Sequence, residues 1–479
     1  MSVASLARDA GGELAPTRRL AEFAASLRGD RLPMDIRTAL GELFLDYIRV
    51  ASIGADMPWS VWANSYMAQF GGTGNATVLF RPERRDPVRA AFLNTTYAGS
   101  IDSDDTHVGS MLHPGSIVFS AALATADELG ATGRDFVAAV AAGYETMIRI
   151  GLSLQPTHFQ RGFQSTATCG GFGAGIAAAR IAFNQQQDAE RKLASTIVLV
   201  ASFAGGLTQF YKSGSTVKRI HAARAAENGV AAAFLARAGF SGPDDILEGS
   251  NGFARAYADA ADFSIITNGL GTDFAMRELT IKAHACSARV QAAVEGILDL
   301  CKANNIDPEN VADVLVGIPA VILGRLTIPR PVDVQAAQMS LPHSAALALA
   351  MGRSAGPGFT LSVTDYERSL TDRTVKALEQ RVRCEVDPQV EAATTAQAVP
   401  ARVTITMRDG TQHSAFVAAP KGSPSRPFTH EDHVARFQCE LSKRWPDGVR
   451  REVIEIAENL SDLDKVSRIT ALLASRSGV

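Results

Sequence analysis

Residues 32–55 read LPMDIRTALGELFLDYIRVASIGA, with Ile36, Leu40, Leu43, Phe44, Tyr47 and Ile48 returning at steps of three and four. That spacing paints one side of a 3.6-residue helix with apolar groups, so the stretch predicts an amphipathic helix lying on a core. The same period runs through 116–129, 136–154, 171–183, 193–211 and 223–238. Several of these segments, GGFGAGIAAARIAF (170–183) among them, are rich in Ala and Gly, whose small side chains let neighbouring helices approach closely. The first half of the chain is expected to be a bundle with helices buried on most sides.

Beyond Phe274 the pattern changes. A helix over 288–301 leads through Asn305 and Pro308 to VADVLVGIPAVI (311–322), whose β-branched residues suit a strand. A helix over 334–352 and a strand over 382–387 follow, and ARVTITMRDGTQHSAFVAAP (401–420) alternates about an Asp409-Gly410 turn, a hairpin signal. These elements make a smaller α+β unit spanning 275–422. After the Gly-Ser-Pro-Ser-Arg-Pro linker at 422–427, Thr429 is placed to cap a helix running to Trp445, and two more amphipathic helices close the chain. Those last helices are placed to complete the first bundle. The expected organisation is a large all-α domain built from 1–274 and 423–479, with the α+β domain of 275–422 inserted into it.

Composition narrows the partners. The 479 residues carry 47 basic and 50 acidic side chains, a net charge of −3, so no electrostatic case exists for nucleic acid or an anionic membrane surface. The expected ligand is small. A chain of this length exceeds what one hydrophobic core organises, and the low aromatic fraction, 7%, favours packed helices over a β-sandwich. Cys169, Cys286, Cys301, Cys384 and Cys439 show no CxxC spacing, which argues against a zinc or iron–sulfur site and against a disulfide framework; reduced thiols in a cytoplasm are expected. Residues 1–20 lack the apolar centre of a secretion signal. The longest apolar run, 193–207, is shorter than the roughly 20 residues a bilayer span needs and reads as a buried helix.

The densest chemistry lies at 102–115, DSDDTHVGSMLHPG. As a metal motif it is similar to the aspartate-rich sequences of terpene cyclases, but the aromatic walls of such cavities and a second acid cluster are both missing, so no metal is expected. Without metal, a histidine beside carboxylates is a proton-transfer group, the acid fixing its tautomer. The same acids and threonine serve equally as caps for a helix starting near Pro114.

Three other segments bear on that choice. TVKRIHAARAAENG (216–229) crowds Lys218, Arg219, His221 and Arg224 into the first turns of a helix, where the dipole already favours anions. A carboxylate-rich ligand, or acids from elsewhere in the fold, must meet those cations; for Arg224 the expected partner is Glu227. PTHFQRGFQSTATCGGFGAG (156–175) offers small hydroxyls and backbone N–H groups ahead of an Ala-rich helix, although close helix packing explains its glycines as well. IKAHACSARV (281–290) puts His284 at the junction between the two expected domains, where a pocket forms, while Cys286 reads as packing.

The ordered set DSDDTH with HPGS, GFQSTATCGGFGA, VKRIHAARAAENGV, LARAGFSGPDDILEGSNGF, KAHAC and AQMSLPHSAALAL resembles the MmgE/PrpD family, which includes 2-methylcitrate dehydratase, cis-aconitate decarboxylase and iminodisuccinate epimerase. The resemblance implies an all-α domain formed by both chain ends, an inserted α+β lid, a homodimer, a pocket between domain and lid, and no metal or organic cofactor. Carried over by motif, Asp102 and Thr106 match the family's DxDDT acid and threonine, His113 its following histidine, Lys218 its KR-x-H cation, and His284 a lid-junction histidine of some members. One departure stands out: Gln164 occupies a position where many relatives have His, so an amide that binds but cannot transfer a proton replaces an imidazole. His158, six residues earlier, is a candidate to compensate.

The resemblance implies manipulation of a proton α to a carboxylate. Expected catalytic residues are Asp102, His113, Lys218 and His284, with His113 oriented by Asp102; Thr106, Gln164 and Lys218 are expected to hold substrate. The leading expectation is a cofactor-independent hydro-lyase acting on a 2-methylcitrate-like polycarboxylate. A cis-aconitate-type decarboxylase, an iminodisuccinate-type epimerase, and a catalytically silent polycarboxylate-binding homologue are the alternatives.

Overall fold

The stripe of residues 36–48 is buried along a single helix, Met34–Gly54, where the Phe44 and Tyr47 rings lie 5.5 and 5.3 Å from Phe119. This is seen in a computed structural model that describes residues 15–212, 215–356 and 358–474. Residues 1–14, on which most of the N-terminal reading rests, fall outside that range.

This helix packs against Pro87–Ala98, Pro114–Leu129 and Gly133–Leu154, and beyond them Ser165–Ala182, Lys218–Ala238 and Ala189–Phe203 extend the bundle. The Ala and Gly content does what the sequence suggests. Where Lys218–Ala238 crosses Ser165–Ala182, a Cβ on Gly229 would lie 2.5 Å from the Gly171 carbonyl oxygen and 2.6 Å from the Gly175 nitrogen. Only a residue without a side chain permits that backbone approach. Gly133–Leu154 is long and apolar enough to cross a membrane, yet it is packed inside this bundle and carries the buried pair Glu145–Arg149, 3.1 Å apart.

Several boundaries differ from expectation, and two of them bear on the site. The Ala-rich helix begins at Ser165 rather than 171, because the Gln164 side chain caps it by accepting the Ala167 N–H. The helix expected to reach residue 211 stops at Phe203, ahead of Gly205-Gly206, and Gln209–Lys212 forms a separate 3₁₀ turn.

The second core holds a four-stranded sheet in the order Val382–Val386, Val311–Ile318, Ala401–Met407, Gln412–Val417. The first pair is parallel, Val314 opposite Val382; the others are antiparallel, Val314 opposite Ile405 and Thr404 opposite Ser414. Val314, Val316, Val403 and Ile405 are buried in one cluster with residues of the helices Gln291–Asn304 and Leu341–Gly352. The helix expected over 334–352 is two helices, Val334–Gln338 and Leu341–Gly352. Ser340 caps the second by accepting the His343 N–H, and Pro342, which lacks an N–H, fits its first turn.

The chain then returns to the first core. Thr429 caps His430–Leu441 in a reciprocal arrangement with Asp432, and Asp447–Glu458 and Ser467–Ala474 follow. Phe437, Leu441, Trp445, Val453 and Leu473 join the same buried cluster as Leu40 and Phe44, whereas the buried apolar residues between 286 and 405, Val363 and Val390 apart, gather in a second cluster. The two connections between the cores run side by side, the Ile281 N–H donating to the Gly422 carbonyl at 2.9 Å. The protein is thus largely helical and multidomain.

Candidate active site

The 102–113 segment is pinned to the start of Pro114–Leu129 by Asp105. One carboxylate oxygen accepts the Gly115 N–H at 2.8 Å and the other accepts the Tyr144 hydroxyl at 2.9 Å. A Cβ on residue 115 would fall 2.6 Å from both the Asp105 carboxylate and the Tyr144 hydroxyl, so glycine is required there. Burial, with the charge of Asp104 nearby, pushes the Asp105 carboxyl up to about 7. The capping reading of the acids therefore holds for Asp105.

Asp102 does something else. Its backbone is left-handed, φ +57°, and its carboxylate is held between two lysines: Lys218 Nζ at 2.5 Å from Oδ2 and Lys282 Nζ at 2.7 Å from Oδ1. Burial alone would raise the carboxyl's pKa, but Lys218 and Lys282 outweigh it and hold Asp102 well below the usual carboxylate range. Lys282 is fully buried and also reaches Asp104 Oδ1 at 3.3 Å. Burial disfavours its ammonium, yet Asp102 and Asp104 keep its pKa above the ordinary lysine value. For Lys218 burial prevails and the ammonium is made more acidic than an ordinary lysine. The cations at the start of Lys218–Ala238 thus find an acid from elsewhere in the fold, and Arg224 pairs with Glu227.

His113 Nδ1 lies 3.2 Å from the Asp105 carbonyl oxygen, 3.0 Å from Thr106 Oγ1 and 3.5 Å from Asp104 Oδ1. Because a carbonyl only accepts, the ring proton is assigned to Nδ1, which leaves Nε2 as the basic nitrogen. Burial lowers the imidazole to about 4, so it is neutral at physiological pH. The orienting acid is Asp104 together with the Asp105 carbonyl, not Asp102, whose oxygens are taken by lysines.

Asp102, Thr106, His113, Gln164 and Lys218 all line one cavity, joined there by Tyr211, Ser287 and Arg289. The cavity lies between the two cores. Gln164 Oε1 accepts the Ala167 N–H at 2.6 Å, which leaves its amide NH₂ as the group available to a ligand. His284 does not line the cavity: it is buried, and Nδ1 accepts the Leu361 N–H at 3.1 Å. His158 is likewise engaged away from it, with Nδ1 on the Tyr257 carbonyl and Nε2 on Thr168, so it does not replace an imidazole at Gln164. His107 sits in the two-residue strand Thr106–His107, which pairs with Leu279–Thr280. Cys286 is buried, and burial pushes its thiol up to about 12.

The donor set does not suit a divalent cation. Both oxygens of Asp102 meet lysines, both of Asp105 accept protein hydrogen bonds, and no group of three or more potential metal ligands occurs among the described residues.

Lys282, Asp104 and Arg289 were not read from the sequence as site residues. For Lys282 a signal exists: a lone cation flanked by Ile281, Ala283 and Ala285 has to be paired when its segment is buried.

A buried lysine–aspartate cluster beside a neutral imidazole, in a cavity between a helical bundle and an α+β core, is an arrangement of groups that can donate and accept protons. Two domain models place this architecture: the MmgE/PrpD N-terminal domain matches residues 18–266 and the MmgE/PrpD C-terminal domain matches 284–462. The chain belongs to the MmgE/PrpD family. It is 25% identical to the cis-aconitate decarboxylase-like protein oryM of Aspergillus oryzae over 96% of this chain and 97% of that protein. Cis-aconitate decarboxylase of Aspergillus terreus is 25% identical, covering 97% of this chain and 96% of its own length. The human cis-aconitate decarboxylase is 24% identical over 91% of this chain and 89% of its own.

Proposed function

We propose that the protein is a cofactor-independent lyase that removes the proton α to a carboxylate of a small polycarboxylate, its first reading being dehydration of a 2-methylcitrate-like hydroxy acid. The observation that carries this is the pairing, in one cavity, of a neutral imidazole with an acidified ammonium, His113 and Lys218. Elimination of water needs two such groups. His113 Nε2 takes the α-proton, the C–H electron pair forms the new double bond, and the Lys218 ammonium protonates the departing hydroxyl. Gln164 NH₂ and the Thr106 hydroxyl supply hydrogen bonds to carboxylates. His284, outside the cavity lining, has no part in these steps.

Decarboxylation of a cis-aconitate-like acid is the second reading, supported by the near full-length likeness to cis-aconitate decarboxylases. There the C–CO₂ bond breaks, its electron pair stays on carbon as CO₂ leaves, and the Lys218 ammonium protonates the carbanion. Either reading carries the homodimer implied by the family resemblance and the cytoplasmic location suggested by the scattered cysteines.

Proton NMR in D₂O of the protein with 2-methylcitrate, citrate, cis-aconitate and iminodisuccinate, with and without EDTA, separates the readings. An unsaturated acid without CO₂ release means dehydration, itaconate means decarboxylation, and α-deuteration with inversion means epimerisation. Binding without turnover of any of them defeats the enzyme reading, and loss of turnover in EDTA defeats the cofactor-independent one.

A further inference from the structure

The charges that line the cavity or lie directly behind its wall do not cancel evenly. Lys218 and Lys282 are matched by Asp102 and Asp104, two cations against two carboxylates. Arg219 lies next to Lys218 in sequence but is turned elsewhere, its guanidinium donating to Gln338 at 2.6 Å and lying 4.7 Å from the Trp59 ring. That leaves Arg289. Its side chain lines the cavity, and among the described residues no carboxylate pairs with it and no hydrogen bond engages its guanidinium. The charged and polar groups it senses are the Tyr211 hydroxyl and a further cation, Arg325, which is itself stacked over Phe159 at 5.0 Å. Tyr211 and Phe159 are both cavity residues.

A half-buried guanidinium that lines the cavity without a carboxylate partner, beside a phenol and a second cation, is placed to gain from an incoming anion. Its planar fork matches a carboxylate with two parallel hydrogen bonds. Arg289 also stands on the second core, in the turn Ala288–Val290 that opens helix Gln291–Asn304, whereas Lys218, Asp102 and His113 stand on the first. The two cationic poles therefore face the ligand from different bodies of the protein.

We infer that Arg289 receives a second, distal carboxylate of the substrate and makes the site select di- and tricarboxylates over monocarboxylates. This rests on the polycarboxylate reading above and adds a specificity residue to it. With one carboxylate on Arg289 and another near Lys218, Gln164 and Thr106, the α-carbon between them is held beside His113.

Calorimetric titration of the full-length protein with propane-1,2,3-tricarboxylate, glutarate and butyrate tests the assignment, using wild type, Arg289→Lys and Arg289→Met, each checked for native circular dichroism. Wild type is expected to prefer the tricarboxylate over butyrate by about 100-fold or more. Arg289→Met should lose about 100-fold for the tricarboxylate and glutarate while changing butyrate binding by less than about threefold, and Arg289→Lys, which keeps the charge without the fork, should fall between. Tricarboxylate binding by Arg289→Met within about threefold of wild type, or an equal loss for butyrate, overturns the assignment while leaving the polycarboxylate reading standing. Wild-type protein that binds neither polycarboxylate overturns both.

Discussion

Lys282 Nζ lies 2.7 Å from Asp102 Oδ1 and 2.9 Å from the backbone carbonyl of the same residue, so one ammonium holds both the side chain and the left-handed backbone of the residue that pairs with Lys218. Removing it leaves a buried carboxylate with one partner fewer. Lys282→Met is expected to destabilise the protein by about 3–5 kcal/mol, the cost of breaking a buried pair, measured as a shift in the urea unfolding curve. A loss below about 1 kcal/mol would show that the pair is solvated rather than buried.

The same cluster sets an acid limit on stability. The folded-state pKa of Asp102 lies below the ordinary aspartate value, so its contribution is complete above the unfolded value of 3.8 and is lost only as pH falls below that. His113 acts over a different window. Its folded value, about 4, is below the unfolded 6.5, so the unfolded chain binds the proton first and stability declines as pH falls from 6.5 towards 4. Unfolding curves of wild type and His113→Gln between pH 4 and 7 should converge as the pH is lowered. A difference that stays constant across that range rejects a buried neutral imidazole.

His113 as base makes a kinetic prediction too. A base with a value of about 4 is already deprotonated at neutral pH, so kcat/KM should show no acid-side fall attributable to it until the pH approaches 4. His113→Asn should lower kcat by about 10²–10⁴-fold. Turnover within tenfold of wild type removes His113 from the chemistry.

What could be read from sequence, and what could not, follows from the range of the interactions. Helix periodicity, the Asp409-Gly410 hairpin and the Thr429 cap are local signals, and each appears as an element or a cap in the structure. The gathering of Asp102, Thr106, His113, Gln164 and Lys218 round one cavity was legible through ordered motifs rather than spacing. His284 was not legible in the same way. Its place at the junction is apparent from the chain, but whether its ring faces the cavity or the Leu361 backbone depends on packing between segments 77 residues apart. The partner of His113 was misassigned for a related reason. Asp102, Asp104 and Asp105 are interchangeable in a sequence pattern, and only the burial of Lys282, 180 residues away, decides which acid is consumed.

Gln164 offers a test that separates its two ends. The side-chain carbonyl caps helix Ser165–Ala182 through the Ala167 N–H, while the NH₂ remains for a ligand. Gln164→Ala removes both functions and should cost about 1 kcal/mol of stability, the usual value of an N-cap, together with weaker binding. Gln164→Glu keeps an oxygen for the cap and, being at a helix N-terminus, should leave stability within about 0.5 kcal/mol of wild type. It nevertheless turns a donor into a negative charge facing the substrate's carboxylates, so affinity for propane-1,2,3-tricarboxylate should fall on the order of 100-fold, since like-charge contacts cost several kcal/mol. Gln164→His introduces the imidazole that the family resemblance implies at this position and should raise CO₂ release from cis-aconitate relative to wild type; unchanged release rejects a proton-donor role for the position. Calorimetry and NMR read these effects separately. Undiminished tricarboxylate binding by Gln164→Glu would place the amide away from the ligand and reduce Gln164 to a helix cap.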